Sequence, residues 1–258
     1  MTSMTELTPP TTGGEVAGQR APWGGREVFL GLLVFLAAIL LGPLPFVAPF
    51  YAIAGEKARS TLLAGIIVST GVYVAIVGIA AYYTFGRYGG GWGRLGFRRP
   101  SWRTLGWAAA GLAAAFVVAT IYGGAIEIFN IDWLKQECDD QIPVEIRNDP
   151  LLLGLTSALA VLFAPVAEEV FYRGFILPGL ARTWGLAAGI AASGALFGAS
   201  HLLGNPTLWP TLLLFTAIGI IFAFAYHRSG NLLATVAAHA GFNLVGVIAI
   251  AATTCRPE

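Results

Sequence analysis

The sequence predicts an all-α fold, a polytopic transmembrane helix bundle of about seven spans with a polar intramembrane cavity. Three observations predict it. Of 258 residues, 56% are hydrophobic and only 11% charged, where a soluble domain carries about 25% charged residues. Apolar runs near the ~20 residues needed to cross a bilayer core recur along the whole chain. The few ionisable residues inside the later runs stand at helical spacing. A net charge of +1 and the lack of a basic stripe with interleaved aromatics argue against a nucleic-acid partner.

Residues 1–26 are rich in Thr, Gly and Pro and hold no apolar run. They read as a mobile N-terminal tail without a cleavable signal peptide, and the first apolar segment as an uncleaved signal anchor. Residues 27–258 then form a single transmembrane helical domain. Its candidate spans are 28–51, 61–85, 105–126, 151–180, 185–203, 208–226 and 232–252. The first contains Gly42, Pro43, Pro45 and Pro49 and is expected to kink or break near its outer end. The fourth contains Pro165 and is long enough to leave the bilayer at one end.

Orientation follows from the loops. Arg87, Arg94, Arg98, Arg99 and Arg103 share one loop with no acid among them, whereas the next, 127–149, has seven acids against Lys135 and Arg147. The positive-inside rule puts the arginine loop in the cytoplasm and the acidic loop outside. The N-terminus is then cytoplasmic, Arg182 and Arg228 fall inside, and Lys57 and Arg59 fall outside, against the rule. Cys138 and Cys255 would both lie outside, where a disulfide can form.

From residue 150 to 254 the chain carries five formal charges: Glu168, Glu169, Arg173, Arg182 and Arg228. The last two sit at predicted helix ends, where arginine snorkels. The other three lie inside a span, at an insertion cost of ~2.5–3.5 kcal/mol each, and such residues usually mark function. Glu169 and Arg173, four apart, can pair on one helix face. Glu168 points ~100° away and has no cation on its own helix. His201 follows Phe197 by four, and His239 precedes Asn243 by four, so each pair shares a helix face. His227, beside Arg228 at a helix end, reads as interfacial.

A carboxylate, two imidazoles and a carboxamide make a hydrolytic set: a base to activate water and donors to hold an oxyanion. Glu168, His201 and His239 also suit Zn²⁺. The chain has no Gly-x-Ser-x-Gly and no His-Glu-x-x-His, so neither a serine elbow nor an ordinary zincin is indicated.

Glu168-Glu169-Val-Phe-Tyr-Arg173-Gly174, then Phe197-x-x-x-His201, then His239-x-x-x-Asn243 resemble the three motifs of the CAAX prenyl protease and bacteriocin-processing (CPBP, Abi) family of membrane proteases. The resemblance covers roughly residues 151–247. It implies a membrane bundle with a cavity open toward the cytosol, an endopeptidase activity and a peptide or protein substrate at the lipid bilayer. Carried over, Glu168 is the general base, His201 helps it handle the water, and His239 with Asn243 forms the oxyanion site. Glu169 and Arg173 shape and charge-balance the site. The family's chemistry is read either as a metalloprotease or as a metal-free glutamate-base hydrolase. The expected location is a prokaryotic cell membrane. Two other readings compete: a non-catalytic bacteriocin-immunity or scaffold protein, and a proton-coupled transporter. The absence of duplicated halves weakens the transporter reading.

Overall fold

The computed structural model describes residues 21–43, 58–135, 142–204 and 206–252. Among these the chain is helical, with no strand. Helix α1 spans Gly25–Leu41, and α2 spans Ala58–Ala81 and continues as a π-helical turn over Tyr82–Arg87. Helix α3 is Trp102–Ile128. Helix α4 is the 35-residue run Pro150–Trp184. Then follow α5 at Leu186–Gly204, α6 at Leu212–Ser229 and α7 at Leu232–Ala252. Six of these are long and apolar enough to cross a membrane. The exception is α1, which has 17 residues and stops at Leu41, just before Gly42 and Pro43, where the proline-rich segment was expected to break it. The remainder of that first candidate span, like Cys138, Cys255 and their expected disulfide, lies outside the described residues.

The N-terminal boundary differs from the sequence reading. Residues 21–26 were assigned to the tail, yet α1 already starts at Gly25 and Trp23 is fully buried. The Trp23 indole donates to the Phe175 carbonyl at 2.9 Å, and the Arg182 guanidinium donates to the Ala21 carbonyl at 2.8 Å. A large aromatic ring that finds both an apolar slot and a hydrogen-bond acceptor docks firmly, whatever the glycine content around it.

The bundle has two unlike ends. At one end stand the start of α1, the arginine-rich loop before α3 and the α4–α5 and α6–α7 connections. Here the chain is closely tied. Leu95 is fully buried. Leu232 N–H donates to the Gly96 carbonyl at 2.8 Å, and Arg103 Nη2 donates to the Arg228 carbonyl at 2.6 Å. Asn231, itself buried, reaches the Arg98 and Arg99 carbonyls and the Thr104 hydroxyl. Gly96 has φ +91°, and a Cβ there would fall 2.5 Å from the Tyr226 hydroxyl, so the tie needs glycine twice over. At the other end stand the acid-rich segment after α3 and the starts of α2, α4 and α6. Arg59, the described base that fits the charge rule least well, pairs there with Asp149 at 2.8 Å.

Two features of the helices place the site. Helix α4 absorbs its prolines through π-helical stretches at Leu159–Phe163 and Val170–Ile176. Each ends on an i to i−5 bond, Ala164 N–H to the Leu159 carbonyl and Leu177 N–H to the Tyr172 carbonyl. The next residues are Pro165 and Pro178, which lack an N–H and crowd the preceding turn. The widened turn lets α4 continue past both, where an ordinary α-helix would kink. Helices α5 and α6 meet through small residues. A Cβ on Gly194 would lie 2.8 Å from the Ile220 nitrogen, and one on Gly198 2.8 Å from the Thr216 nitrogen. Close backbone approach of this kind is how helices associate in lipid, where the hydrophobic effect does not drive them together.

Candidate active site

Glu169 and Arg173 sit on the inward face of α4 and are both completely buried. Arg173 Nη1 lies 3.0 Å from Glu169 Oε1, one turn away on the same helix. The guanidinium also donates from Nη2 to the Gly219 carbonyl at 3.0 Å, and its carbon lies 4.6 Å from the Phe197 ring centroid. The tight α5–α6 contact brings both groups to it: Phe197 from α5 and the Gly219 carbonyl from α6. The ion pair, the carbonyl and the aromatic face together answer a charge that would be prohibitive alone in a membrane.

His239, on α7 and also buried, places Nδ1 3.0 Å from the same Glu169 Oε1. The carboxylate accepts the Nδ1 proton, which fixes the tautomer and turns Nε2 the other way. Nε2 then lies 3.9 Å from Glu168 Oε2. That separation is too long for a direct hydrogen bond. Glu168 retains slight exposure, 13% of its side chain, and its Oε2 has no hydrogen-bond partner within the described protein. Tyr73, on α2, lies within electrostatic reach of Glu168.

Asn243 lies one turn beyond His239 and donates from Nδ2 to the Ala160 carbonyl at 2.8 Å. That carbonyl belongs to the first π-helical stretch of α4, where the shifted bonding pattern redirects backbone groups. His201 approaches the carbonyl of Phe197 through Nδ1 at 2.8 Å and stacks on Phe215 at 4.3 Å between ring centroids. The Phe197 ring stands between the imidazoles, 4.8 Å from His201 and 5.5 Å from His239. His201 and Asn243 line one cavity of about 610 Å³. It is walled mainly by α3, α6 and α7 and runs to Glu127, Lys135 and Ile142 at the acid-rich end. Asp132, through its hydrogen bond, raises the Lys135 ammonium pKa at that mouth.

Of the six site residues read from the sequence, four are joined by direct side-chain approaches: Glu168, Glu169, Arg173 and His239. Asn243, one turn beyond His239, and His201, which shares the Phe197 ring with His239, line the cavity, whose wall does not include the other four. As a zinc set, Glu168, His201 and His239 are not gathered: among the described residues no three His, Cys, Asp or Glu side chains converge as ligands would. The Nδ1 atoms of both histidines are engaged, one by Glu169 and one by the Phe197 carbonyl.

Residues 150–245 match the family model described as type II CAAX prenyl endopeptidase Rce1-like. Over that stretch, short of half of the chain, the sequence is similar to that family. The match is consistent with the resemblance to the CPBP family carried by the three motifs. No curated protein and no solved structure matches the chain.

The matched segment holds all six motif residues, from Glu168 to Asn243. It does not hold Tyr73 or the α3 wall of the cavity. The motif reading missed Tyr73, although a lone phenol in the middle of an otherwise apolar span, beside Thr70 and Gly71, is a polar signal of the kind that marks a buried partner. It also missed the Gly219 carbonyl, for which a side-chain reading has no signal.

Proposed function

We propose that this protein is an intramembrane endopeptidase in which Glu168 activates a water held between its Oε2 and His239 Nε2. The observation that carries the reading is the 3.9 Å gap between those two atoms, with the far side of the imidazole fixed by Glu169. Polar groups too far apart to bond directly are commonly bridged by water. Both atoms are acceptors when Nδ1 carries the imidazole proton, so such a water donates to both and turns its lone pairs outward. A desolvated carboxylate makes an effective base.

In the proposed step the water oxygen attacks the scissile carbonyl carbon while its proton passes to Glu168. The tetrahedral intermediate's oxyanion is held by the second N–H of Asn243 Nδ2. His201 adds Nε2–H when its ring is protonated, since Nδ1 is already turned to the Phe197 carbonyl. Collapse breaks the C–N bond, and Glu168 returns the proton to the departing amine. This assignment exchanges the histidines relative to the resemblance: His239 serves the water and His201 joins Asn243. Glu169 and Arg173 are positioning residues that act through His239.

The test is cleavage of a panel of peptide and membrane-anchored substrates by purified protein in detergent, beside Glu168→Gln. Hydrolysis lost in the variant is expected. Equal cleavage by both proteins would remove the base assignment. Cleavage by neither, with both folded, would favour the immunity or scaffold reading.

A further inference from the structure

We infer that the arginine end of the bundle carries a binding site for the phosphate headgroup of an anionic phospholipid, formed between α3 and α6 by Arg103 and Arg228 and backed by Trp107 and Phe224. The inference goes beyond the protease reading and does not depend on it.

Arg103 stands in the first turn of α3 and Arg228 in the last turn of α6, two helices that pack together. Arg103 Nη2 donates to the Arg228 carbonyl at 2.6 Å, which brings the two cationic residues to one spot where the helices meet. The Arg228 guanidinium carbon lies 5.5 Å from the Trp107 ring centroid and 5.9 Å from that of Phe224. Those rings meet edge to face. A guanidinium laid over aromatic faces is held in orientation while its N–H edge stays available.

The charge gathered here is unanswered. Both arginines are exposed, and neither forms an ion pair with a described acid. The sequence has no Asp or Glu from residue 57 to 126 or from 170 to 257, so neither helix supplies one at this end. Asn231 Nδ2 adds to the cluster by binding the Arg98 and Arg99 carbonyls at 3.3 Å each and the Thr104 hydroxyl at 3.2 Å. Four arginines therefore stand round the α6–α7 turn. Like charges so gathered repel one another, and Arg103 also sits at the positive end of its own helix. A phosphate answers both costs, because guanidinium forks bind its oxygens bidentately.

The aromatic residues make the ligand a lipid. Trp102, next to Arg103 and the first residue of α3, is 88% exposed, and Phe224 is 47% exposed. Tryptophan at the end of a spanning helix sits at headgroup level. A phosphate held by Arg103 and Arg228 would send its acyl chains past Trp107 and Phe224, which lie one turn further into their helices. A soluble phosphate or an acidic peptide would use the arginines and leave the rings uncovered. Basic pockets between spanning helices take anionic headgroups in this way.

The experiment uses the full chain, purified in detergent and stripped of lipid. It is melted, and weighed as intact complexes, with dioleoyl phosphatidylglycerol, dioleoyl phosphatidylcholine, inorganic phosphate or a hexaglutamate peptide. Phosphatidylglycerol should stay bound and raise the melting temperature, and the other three should do neither. Arg103→Gln with Arg228→Gln should weaken phosphatidylglycerol binding about tenfold or more. Arg228→Lys keeps the charge but gives up the fork, and should weaken it severalfold. Arg26→Gln with Arg87→Gln removes the same charge from the α1–α2 side of that end and should leave binding nearly unchanged. Equal binding of phosphatidylcholine would reduce the site to apolar contact and overturn the inference. Equal stabilisation by inorganic phosphate would make it a soluble-anion site, and by hexaglutamate a peptide site; either overturns the lipid assignment. An equal loss in the Arg26 and Arg87 pair would mean diffuse attraction and no site. Should the paired Arg103 and Arg228 variant fail to fold, the four ligands on the native chain and Arg228→Lys still decide. Hydrolysis plays no part in the readout, so this inference and the protease reading fail separately.

Discussion

His239 Nδ1 stands 3.0 Å from Glu169 Oε1, the same oxygen that Arg173 Nη1 approaches at 3.0 Å. One buried carboxylate thus holds a cation on its own helix and an imidazole on another. The two adjacent glutamates are divided by this arrangement: Glu169 Oε1 is held from two sides at 3.0 Å, whereas Glu168 Oε2 stays 3.9 Å from His239 Nε2.

Glu168→Gln is nearly isosteric and removes a charge that Arg173 does not balance directly. Its melting temperature in detergent should equal or slightly exceed that of the native protein, while peptide hydrolysis is abolished. A cleavage assay beside a thermal melt checks both halves of the statement, and an active Glu168→Gln protein refutes the base role.

Glu169→Gln and Arg173→Ala each strand the other member of a completely buried pair, a loss of ~3–5 kcal/mol. Both variants should be recovered in lower yield and melt earlier. The double change to Gln and Met, which removes both charges, should recover part of the stability but not the activity, because His239 loses its fixed tautomer. A double variant no more stable than either single one would mean that the pair contributes through something other than charge balance.

His201 and His239 should separate by phenotype. His239 is buried against Glu169, so His239→Ala should lower both melting temperature and turnover. His201 is only partly buried on the cavity wall. His201→Ala should reduce kcat with a much smaller change in melting temperature. A large stability loss with unchanged kcat in the folded fraction would make His201 a packing residue.

Gly198→Val inserts side-chain atoms where a Cβ alone would already lie 2.4 Å from Thr216 Oγ1 and 2.8 Å from its nitrogen. Overpacking of this kind costs ~1–3 kcal/mol. It should also push Phe197 away from Arg173, so the melt should fall and activity fall with it. Gly78→Val, where an added Cβ meets nothing within 4 Å, is the control and should leave both unchanged.

The sequence was most legible where chemistry is costly. Charges in an apolar run cannot be placed casually, so Glu168, Glu169, Arg173 and the two histidines stood out before any geometry was known. Spacing of four also anticipated which side chains share a face. Three things were hidden. The partner of each polar group on another helix is set by tertiary packing, so His239 was not assigned to Glu169. Tyr73 lies in the half of the chain where apolar composition looked generic. The anchoring of Trp23 was masked by the glycines and prolines around it, which signal irregular backbone and carry no information about whether a ring in their midst finds a slot.

The π-helical stretches of α4 have a consequence for how such a site can change over time. Each widened turn holds one residue more than an ordinary turn would; Leu159–Phe163 precedes Glu168 on the same helix, and Val170–Ile176 follows Glu169 directly and carries Arg173 of the motif itself. Deleting a single residue within either stretch would close it to regular helix and rotate everything on one side of it by ~100° relative to the other. Deletion in the first would carry Asn243's acceptor, Ala160, away from the glutamates. Deletion in the second would carry Arg173 off the face of Glu169. The register of the centre is therefore set by insertions and deletions as much as by substitutions, and a lineage that kept Glu168, Glu169, Arg173 and Asn243 but lost one residue from either stretch would have lost the site.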